Sequence, residues 1–274
     1  LDVPQGLALG VACVGLLTAR SGRARAVLLA LLVMGLGAAE VSLRERETPH
    51  GELRVTFVDV GQGDAAILDF PDGRVALIDT GGAPNGGADP GARAIVPLLR
   101  ARRRDHLDLV VITHPHPDHY GGLAAVAAAF PIAELWDTGQ AAFEAREGEL
   151  SRTLVGLAAR GTRIRRPPGL CGRDRDLGGA HVEVLWPCPD WDPGWDPNDN
   201  SLVLRVRFGA RVFVLSGDAE AHAEASLRGR LGRADVLKVG HHGSRTSSSA
   251  TFLGEVAPWL AVVSAGTANR FGHP

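Results

Sequence analysis

The residues Thr113-His114-Pro115-His116-Pro117-Asp118-His119 constrain this chain more than any other stretch. Four metal-ligating groups fall within six residues, directly after the apolar run Leu107–Thr113. The run is short and rich in β-branched residues, so it reads as a buried strand. His114 and His116 are two apart, and in extended backbone their side chains point the same way. Asp118 and His119 lie further round the turn and face a second point. Gly121 and Gly122 then let a helix start close to the loop. Imidazole and carboxylate together suit zinc, manganese or iron. The chain must therefore bring a strand end, a polar loop and a helix to one point, which is an α/β arrangement.

The residues around this loop fit such a domain. Leu53–Val60 reads as a strand, and 65–70 and 74–78 flank Pro71-Asp72-Gly73 as a hairpin. A glycine-rich loop at 81–91 leads to a helix over 92–104. Further strands are expected at 132–136, 162–165, 181–186, 201–208, 211–216, 235–239 and 260–264. Helices are expected at 122–129, 144–160, 219–230 and 248–256. Two sheets packed together with helices outside would accommodate this order. Residues 186–200 form a loop rich in Pro, Asp and Trp.

The N-terminus is different in kind. Residues 7–19 and 26–39 are uncharged and apolar, separated by the basic stretch 20–25. With their flanks they approach the ~20 residues a membrane span needs. Neither has a polar face at helical spacing. Residues 1–43 are therefore expected to form a transmembrane helical hairpin, the end of a larger membrane region, followed by a charged linker at 44–51 and a domain at 52–274. Arg20, Arg23 and Arg25 would keep the connecting loop cytoplasmic, which delivers the domain to the outer side. The chain begins Leu1-Asp2, as a fragment of a longer membrane protein would. Formal charge is -2, so a strongly basic nucleic-acid wrapper is excluded, although local patches are not. Arg100, Arg102, Arg103 and Arg104 form one such patch, and Arg163, Arg165 and Arg166 another. The first, with Arg102, Arg103 and Arg104, is the candidate nucleic-acid-binding run; solvated faces are the plainer alternative for both. Trp191 and Trp195 either stack on bases or pack the proline-rich loop. Cys171 and Cys188 either form one bridge, if the domain is exported, or remain two thiols.

The pattern HxHxDH after an apolar strand resembles the signature of the metallo-β-lactamase superfamily. FVDVGQGDAAIL, THPHPDHYGGL, NDNSLVL, LSGD, VLKVGHHGS and NRFGHP are similar, more finely, to the C-terminal domain of ComEC-type DNA-internalisation proteins. That resemblance covers about residues 52–274. It implies the αβ/βα four-layer sandwich, preceded here by the hydrophobic hairpin. It implies a metal-dependent nuclease acting on DNA during uptake across the membrane in natural transformation. The alternatives are a metallo-hydrolase of another substrate, such as a lactone or phosphoester, and an inactive module guiding DNA to a channel. The implied partners are DNA, the membrane, the remaining membrane region of the same protein and other competence proteins. The domain would lie outside the cytoplasm.

The resemblance also implies a ligand set for two divalent ions, Mn or Zn: His114, His116, Asp118, His119, Asp218 and His241. Asp218 matches the carboxylate that bridges two metals. The final histidine is His241 or His242, with His273 as a further choice. His241 is favoured because the first residue after a strand inherits its direction. Asp118, His241 and His242 are the candidate catalytic residues, and Ser244 could contact a phosphate. Asp79 matches the aspartate that steadies the metal loop, and Asp64 could support the site from the first loop. Many superfamily members carry a histidine where this chain reads Asn198-Asp199-Asn200-Ser201. Asp199, Asn200 or water would stand in, and an oxygen there favours manganese over zinc. The family continues beyond His273-Pro274, so at least a final strand is expected to follow.

Overall fold

A computed structural model describes residues 3–19, 21–82, 87–144, 148–267, 269 and 271–273. Arg20, Arg270 and part of the glycine-rich loop at 81–91 lie outside the described residues. The chain divides into two compact units, Leu1–Glu47 and Thr48–Pro274.

The first unit consists of α1 (Val3–Thr18) and α2 (Gly22–Glu47). Among the described residues α2 alone is long and apolar enough to cross a membrane, by length and composition; the apolar helix Gly6–Thr18 is shorter. Val27, Leu31, Val33 and Met34 are exposed, as befits residues that lipid would cover. The helix runs on through Glu47, so the charged stretch expected as a linker begins as its last turn, with Glu40 and Arg44 paired at i,i+4.

The second unit contains two six-stranded sheets, each drawn from one contiguous half of the sequence. β1 (Arg54–Phe57), β2 (Ala66–Asp69), β3 (Val75–Ile78), β4 (Leu107–Val111), β5 (Ile132–Trp136) and β6 (Arg163–Arg165) lie side by side in chain order. The first three are antiparallel, and β3 to β6 run parallel. β7 (Asp174–Leu177), β8 (Ala180–Trp186), β9 (Val203–Phe208), β10 (Arg211–Leu215), β11 (Val236–Lys238) and β12 (Leu260–Val262) make the other sheet, also in chain order. β7 reads DRDL and carries three charges, so only Leu177 is buried and the sequence offers no apolar signal for it.

Alternation along the buried strands builds the layers. Ile67, Leu77 and Val110 face one way and pack on Ile95, Leu99, Leu123, Val126 and Leu154. Leu68, Ile78, Leu109 and Val111 face the other way and meet Val182, Val184, Leu204 and Leu215 of the second sheet. Val203, Val214 and Leu237 point outward onto Ala223, Leu227, Phe252 and Val256. The central strands of the first sheet are covered on both faces, so β2, β3 and β4 read as near-continuous apolar runs. The result is the expected order of helix, sheet, sheet, helix. The helical layers comprise α3 (Val96–Ala101), α4 (Pro117–Tyr120), α5 (Leu123–Ala129), α6 (Gln140–Glu144), α7 (Glu149–Ala159), α8 (Ala221–Ser226) and α9 (Ala250–Val256). The helix expected over 219–230 is thus confined to a short central piece.

Cys171 and Cys188 form a disulfide with Cα atoms 5.7 Å apart. It joins the loop before β7 to the Pro/Asp/Trp-rich loop after β8. In that loop Trp195 stacks on Trp186 and His222, both at 5.5 Å between ring centroids, so it packs the loop. Trp191 meets the exposed Phe143 edge-on.

Candidate metal centre

Strand ends from both sheets converge here. Asp79 follows β3, His114 follows β4, Asp218 follows β10, and His241 and His242 follow β11. Ligands of open α/β sheets gather at carboxyl ends of strands in this way.

Three loops of the first sheet are laced together through their main chains. Asp64 N donates to Asp118 O, Gly81 N to Asp64 O, Thr80 N to His119 O, and Gly122 N to Gly81 O. The approach is too close for side chains. A Cβ on Gly82 would lie 1.8 Å from Pro117 O, and one on Gly63 would lie 2.3 Å from Asp118 O. Backbone contact therefore fixes the height of Asp118 and His119 above the sheet.

Asp79 anchors this loop from beneath. It is buried and adopts φ 58, a left-handed conformation tolerated by Asp and Asn. Its Oδ1 accepts from Thr113 N at 2.7 Å. Its Oδ2 accepts from Thr113 Oγ1 and from His119 Nδ1, both at 2.8 Å. A carboxylate only accepts, so His119 carries a proton on Nδ1 and presents Nε2 to Asp218 Oδ2, 3.2 Å away. Burial works against charge on His119, yet the carboxylates of Asp218 and Asp79 overcome it and hold its pKa well above the usual histidine value. His114 moves the other way: burial, then the neighbouring His119 and His116, push it well below.

His242, and not the favoured His241, enters the group. Its Nε2 lies 3.3 Å from Asp118 Oδ2 and 3.5 Å from Asp218 Oδ2, while its Nδ1 donates to Ser264 O. The side chain is buried; His241 is half-buried at the rim, with Nε2 4.0 Å from Asp218 Oδ2 and Nδ1 bonded to Glu220 Oε1. The reason is local backbone. His241 and His242 both take positive φ, 45 and 53, so the chain reverses at once and strand direction is not inherited. His273 stands further out, its ring 6.2 Å from that of His242.

Ligand atoms of His114, His119 and Asp218 lie within 4.8 Å of one another, as do those of Asp118, His119 and His242, and of Asp64, Asp218 and His242. His116 falls outside these groups and reaches them through His114, Nδ1 to Nε2 at 3.0 Å. Four buried atoms in this cluster lack a hydrogen-bond partner: His119 Nε2, His242 Nε2, Asp218 Oδ1 and Asp64 Oδ1. Buried polar atoms are seldom left so. Imidazole nitrogens and carboxylate oxygens facing one another fit divalent cations.

Other expected residues point elsewhere. Asn200 exchanges hydrogen bonds with the backbone of Asp192 at both ends of its amide, which turns it into the loop. Asp199 receives Glu220 N and Ala223 N and pairs with His222. Neither replaces the histidine expected there. Ser201 does serve the site, accepting Asp218 N at 3.1 Å, a role the sequence reading missed. Arg102 and Arg104 both bind the buried Asp69, together with Arg54. The register Ala66↔Ile78 and Asp69↔Val75 puts Asp69 at the end of the sheet away from Asp79. Arg102 and Arg104 therefore form a structural clamp on Asp69, at the end of the sheet away from Asp79. Arg163 and Arg165 similarly bind the buried Glu134, and Arg166 binds Asp137. Ser244 lies at the rim, bonded to Thr246.

Residues 58–266 match the family described as Metallo-beta-lactamase superfamily. The chain is 36% identical over 262 residues to Competence protein ComA of Neisseria gonorrhoeae, covering 91% of this chain and 33% of that protein. It is 33% identical over 221 residues to Recombination protein 2 of Haemophilus influenzae, covering 81% and 25%. It is 31% identical over 238 residues to ComE operon protein 3 of Bacillus subtilis, covering 81% and 30%. The chain thus spans between a quarter and a third of the length of these relatives.

Proposed function

The chain belongs to the metallo-beta-lactamase superfamily, and from that premise we propose that it is a metal-dependent phosphodiester hydrolase cutting DNA during uptake across the membrane. Fold and family support a divalent-metal hydrolase; similarity to proteins named for competence supports DNA as substrate. The observation that carries the reading is the convergence of His114, His119, Asp118, Asp218 and His242 with buried, unpartnered ligand atoms.

In this reading His114, His116, Asp118, His119, Asp218 and His242 would hold two divalent ions, manganese or zinc. Such ions supply charge neutralisation of a phosphodiester and lower the pKa of water towards ~7. The protein's own residues do the remainder. Asp79 fixes the tautomer and angle of His119. Ser201 holds the loop that presents Asp218. Glu220 orients His241 so that its Nε2 faces the cluster from the rim, where it can hydrogen-bond an oxygen of the bound phosphodiester.

Residues 1–43 anchor the domain in the membrane, the charged stretch 44–51 marks the boundary, and the domain faces away from the cytoplasm. Arg23 and Arg25 at the start of α2 support that orientation, and so does the disulfide, which persists in oxidising compartments. DNA, the membrane, the rest of a longer membrane protein and other competence proteins are the partners.

The test uses the detergent-solubilised chain, loaded with Mn²⁺ or Zn²⁺, with plasmid and single-stranded DNA as substrates. Metal-dependent cleavage that disappears in Asp118→Ala, with the fold retained, is expected. Equal cleavage by purified Asp118→Ala would overturn the reading.

A further inference from the structure

The chain holds 28 arginines and a single lysine, Lys238. Arginine is thus accepted almost everywhere a cation is needed, so the position that keeps lysine calls for a reason. Lys238 is the last residue of β11 and is 4% exposed. Its Nζ donates to Val239 O at 2.7 Å and lies 2.7 Å from Asp64 Oδ2. Beside it is a cavity of about 20 Å³ lined by Asp64, Asp79, Thr113 and Lys238 among others. That space admits at most a water molecule. The bulkier planar guanidinium has no room, whereas a compact ammonium with rotatable donors fits.

What Lys238 holds is one end of a relay. Asp64 Oδ1 is buried without a hydrogen-bond partner and lies 3.4 Å from His242 Nδ1. His242 Nε2 in turn faces Asp118 and Asp218. Opposite, Asp79 accepts from His119 Nδ1 at 2.8 Å; here His242 Nδ1 donates to Ser264 O, and Asp64 Oδ1 borders the ring without a hydrogen bond. Asp64 also carries its own fixed cation. Asp64 precedes β2 of the first sheet, and Lys238 and His242 belong to the second, so the pair also ties the two sheets beside the cluster.

We propose that Lys238 is a positioning residue of the metal centre, holding Asp64 by Oδ2 so that the unpartnered Oδ1 stays against the ring of His242 and faces the group formed with Asp218. This rests on the metal-centre reading given above. Removal of either partner displaces or deletes the carboxylate charge that borders His242, and metal affinity falls although the Lys238 ammonium, paired with Asp64 Oδ2, does not itself face the group. Outer partners of ligands commonly control affinity on this scale.

The experiment compares wild type with Lys238→Met, Asp64→Asn and the double variant, as the full chain. Mn²⁺ affinity is read by titration calorimetry and the His242 ring by ¹⁵N-histidine spectra, assigned with His242→Gln. Each single variant should bind Mn²⁺ about 10–100-fold more weakly. The double variant should be no weaker than the worse single, because both act through one relay, and Lys238→Arg should not restore affinity. Lys238→Met leaves a buried carboxylate without a partner and could misfold. The double variant removes both charges, and there the decision rests. Wild-type affinity in the double variant, additive losses, or unchanged His242 signals would each overturn the proposal. Wild-type protein that binds no Mn²⁺ would overturn the metal-centre reading itself, and this inference with it.

Discussion

Asp79→Asn is the sharpest probe of the site. The substitution keeps size and keeps a residue type that accepts φ 58. It changes the donor and acceptor count. Asp79 now accepts three buried hydrogen bonds on two oxygens: Thr113 N on Oδ1, and Thr113 Oγ1 with His119 Nδ1 on Oδ2. Asparagine offers one oxygen and one NH₂. With the oxygen kept on Thr113 N, the NH₂ faces the hydroxyl and the imidazole. Thr113 can turn its hydroxyl and accept. His119 can accept only by moving its proton to Nε2, the nitrogen that faces Asp218. A ligand nitrogen is thereby blocked. Hydrogen bonds to charged groups contribute about 1.5–3 kcal/mol each and neutral ones about 0.5–1.5 kcal/mol, so turning these bonds neutral should lower stability by about 1–3 kcal/mol. Metal affinity should fall by about 10–100-fold. Titration calorimetry with Mn²⁺ measures the second quantity and urea unfolding the first. A folded Asp79→Asn protein with unaltered Mn²⁺ affinity would refute the tautomer argument.

Gly82→Ala should destabilise by about 1–3 kcal/mol through overpacking against Pro117 O and should also lower metal affinity, read by urea midpoint and calorimetry. Arg104→Ala should lower stability, because Arg104 is one of three arginines on the buried Asp69, and should leave metal content unchanged; loss of metal would contradict its remote placement. Replacing Cys171 and Cys188 with alanine should cost about 3 kcal/mol for a closed loop of this length, with thiol titration of membrane-extracted protein showing the pair oxidised beforehand. Removing metal with a chelator should lower the melting temperature, with saturating ion at 100 times Kd restoring about 2.7 kcal/mol; no shift would mean that the folded state binds none.

What the sequence disclosed follows from locality. The loop His114–His119, Asp79 and Asp218 were legible because each directly follows an apolar strand, and buried strands announce themselves. The layer order was legible for the same reason. β7 was not, since a strand reading DRDL at a sheet edge has almost nothing to bury. The choice between His241 and His242 depended on two consecutive positive φ angles, which the residue types do not advertise. The fate of Arg102 and Arg104 depended on Asp69, more than thirty positions away in sequence. Asn200 looked like a ligand by family position, and only its bonds to Asp192 turn it aside. Lys238 could have been flagged by its solitude among arginines.

Among the described residues, the sheets come from successive halves of the sequence, in chain order, with no strand exchanged between them. Half the cluster, His114 to His119 and Asp79, is therefore made before Asp218 and His242 leave the ribosome. The second half must then dock to complete the cluster, and in doing so it covers Leu68, Ile78, Leu109 and Val111. The same division makes the turn between β6 and β7 a place to cut the gene. Two separately produced fragments, each carrying one sheet, would regain metal binding only on reassociation, so the cluster would report their meeting.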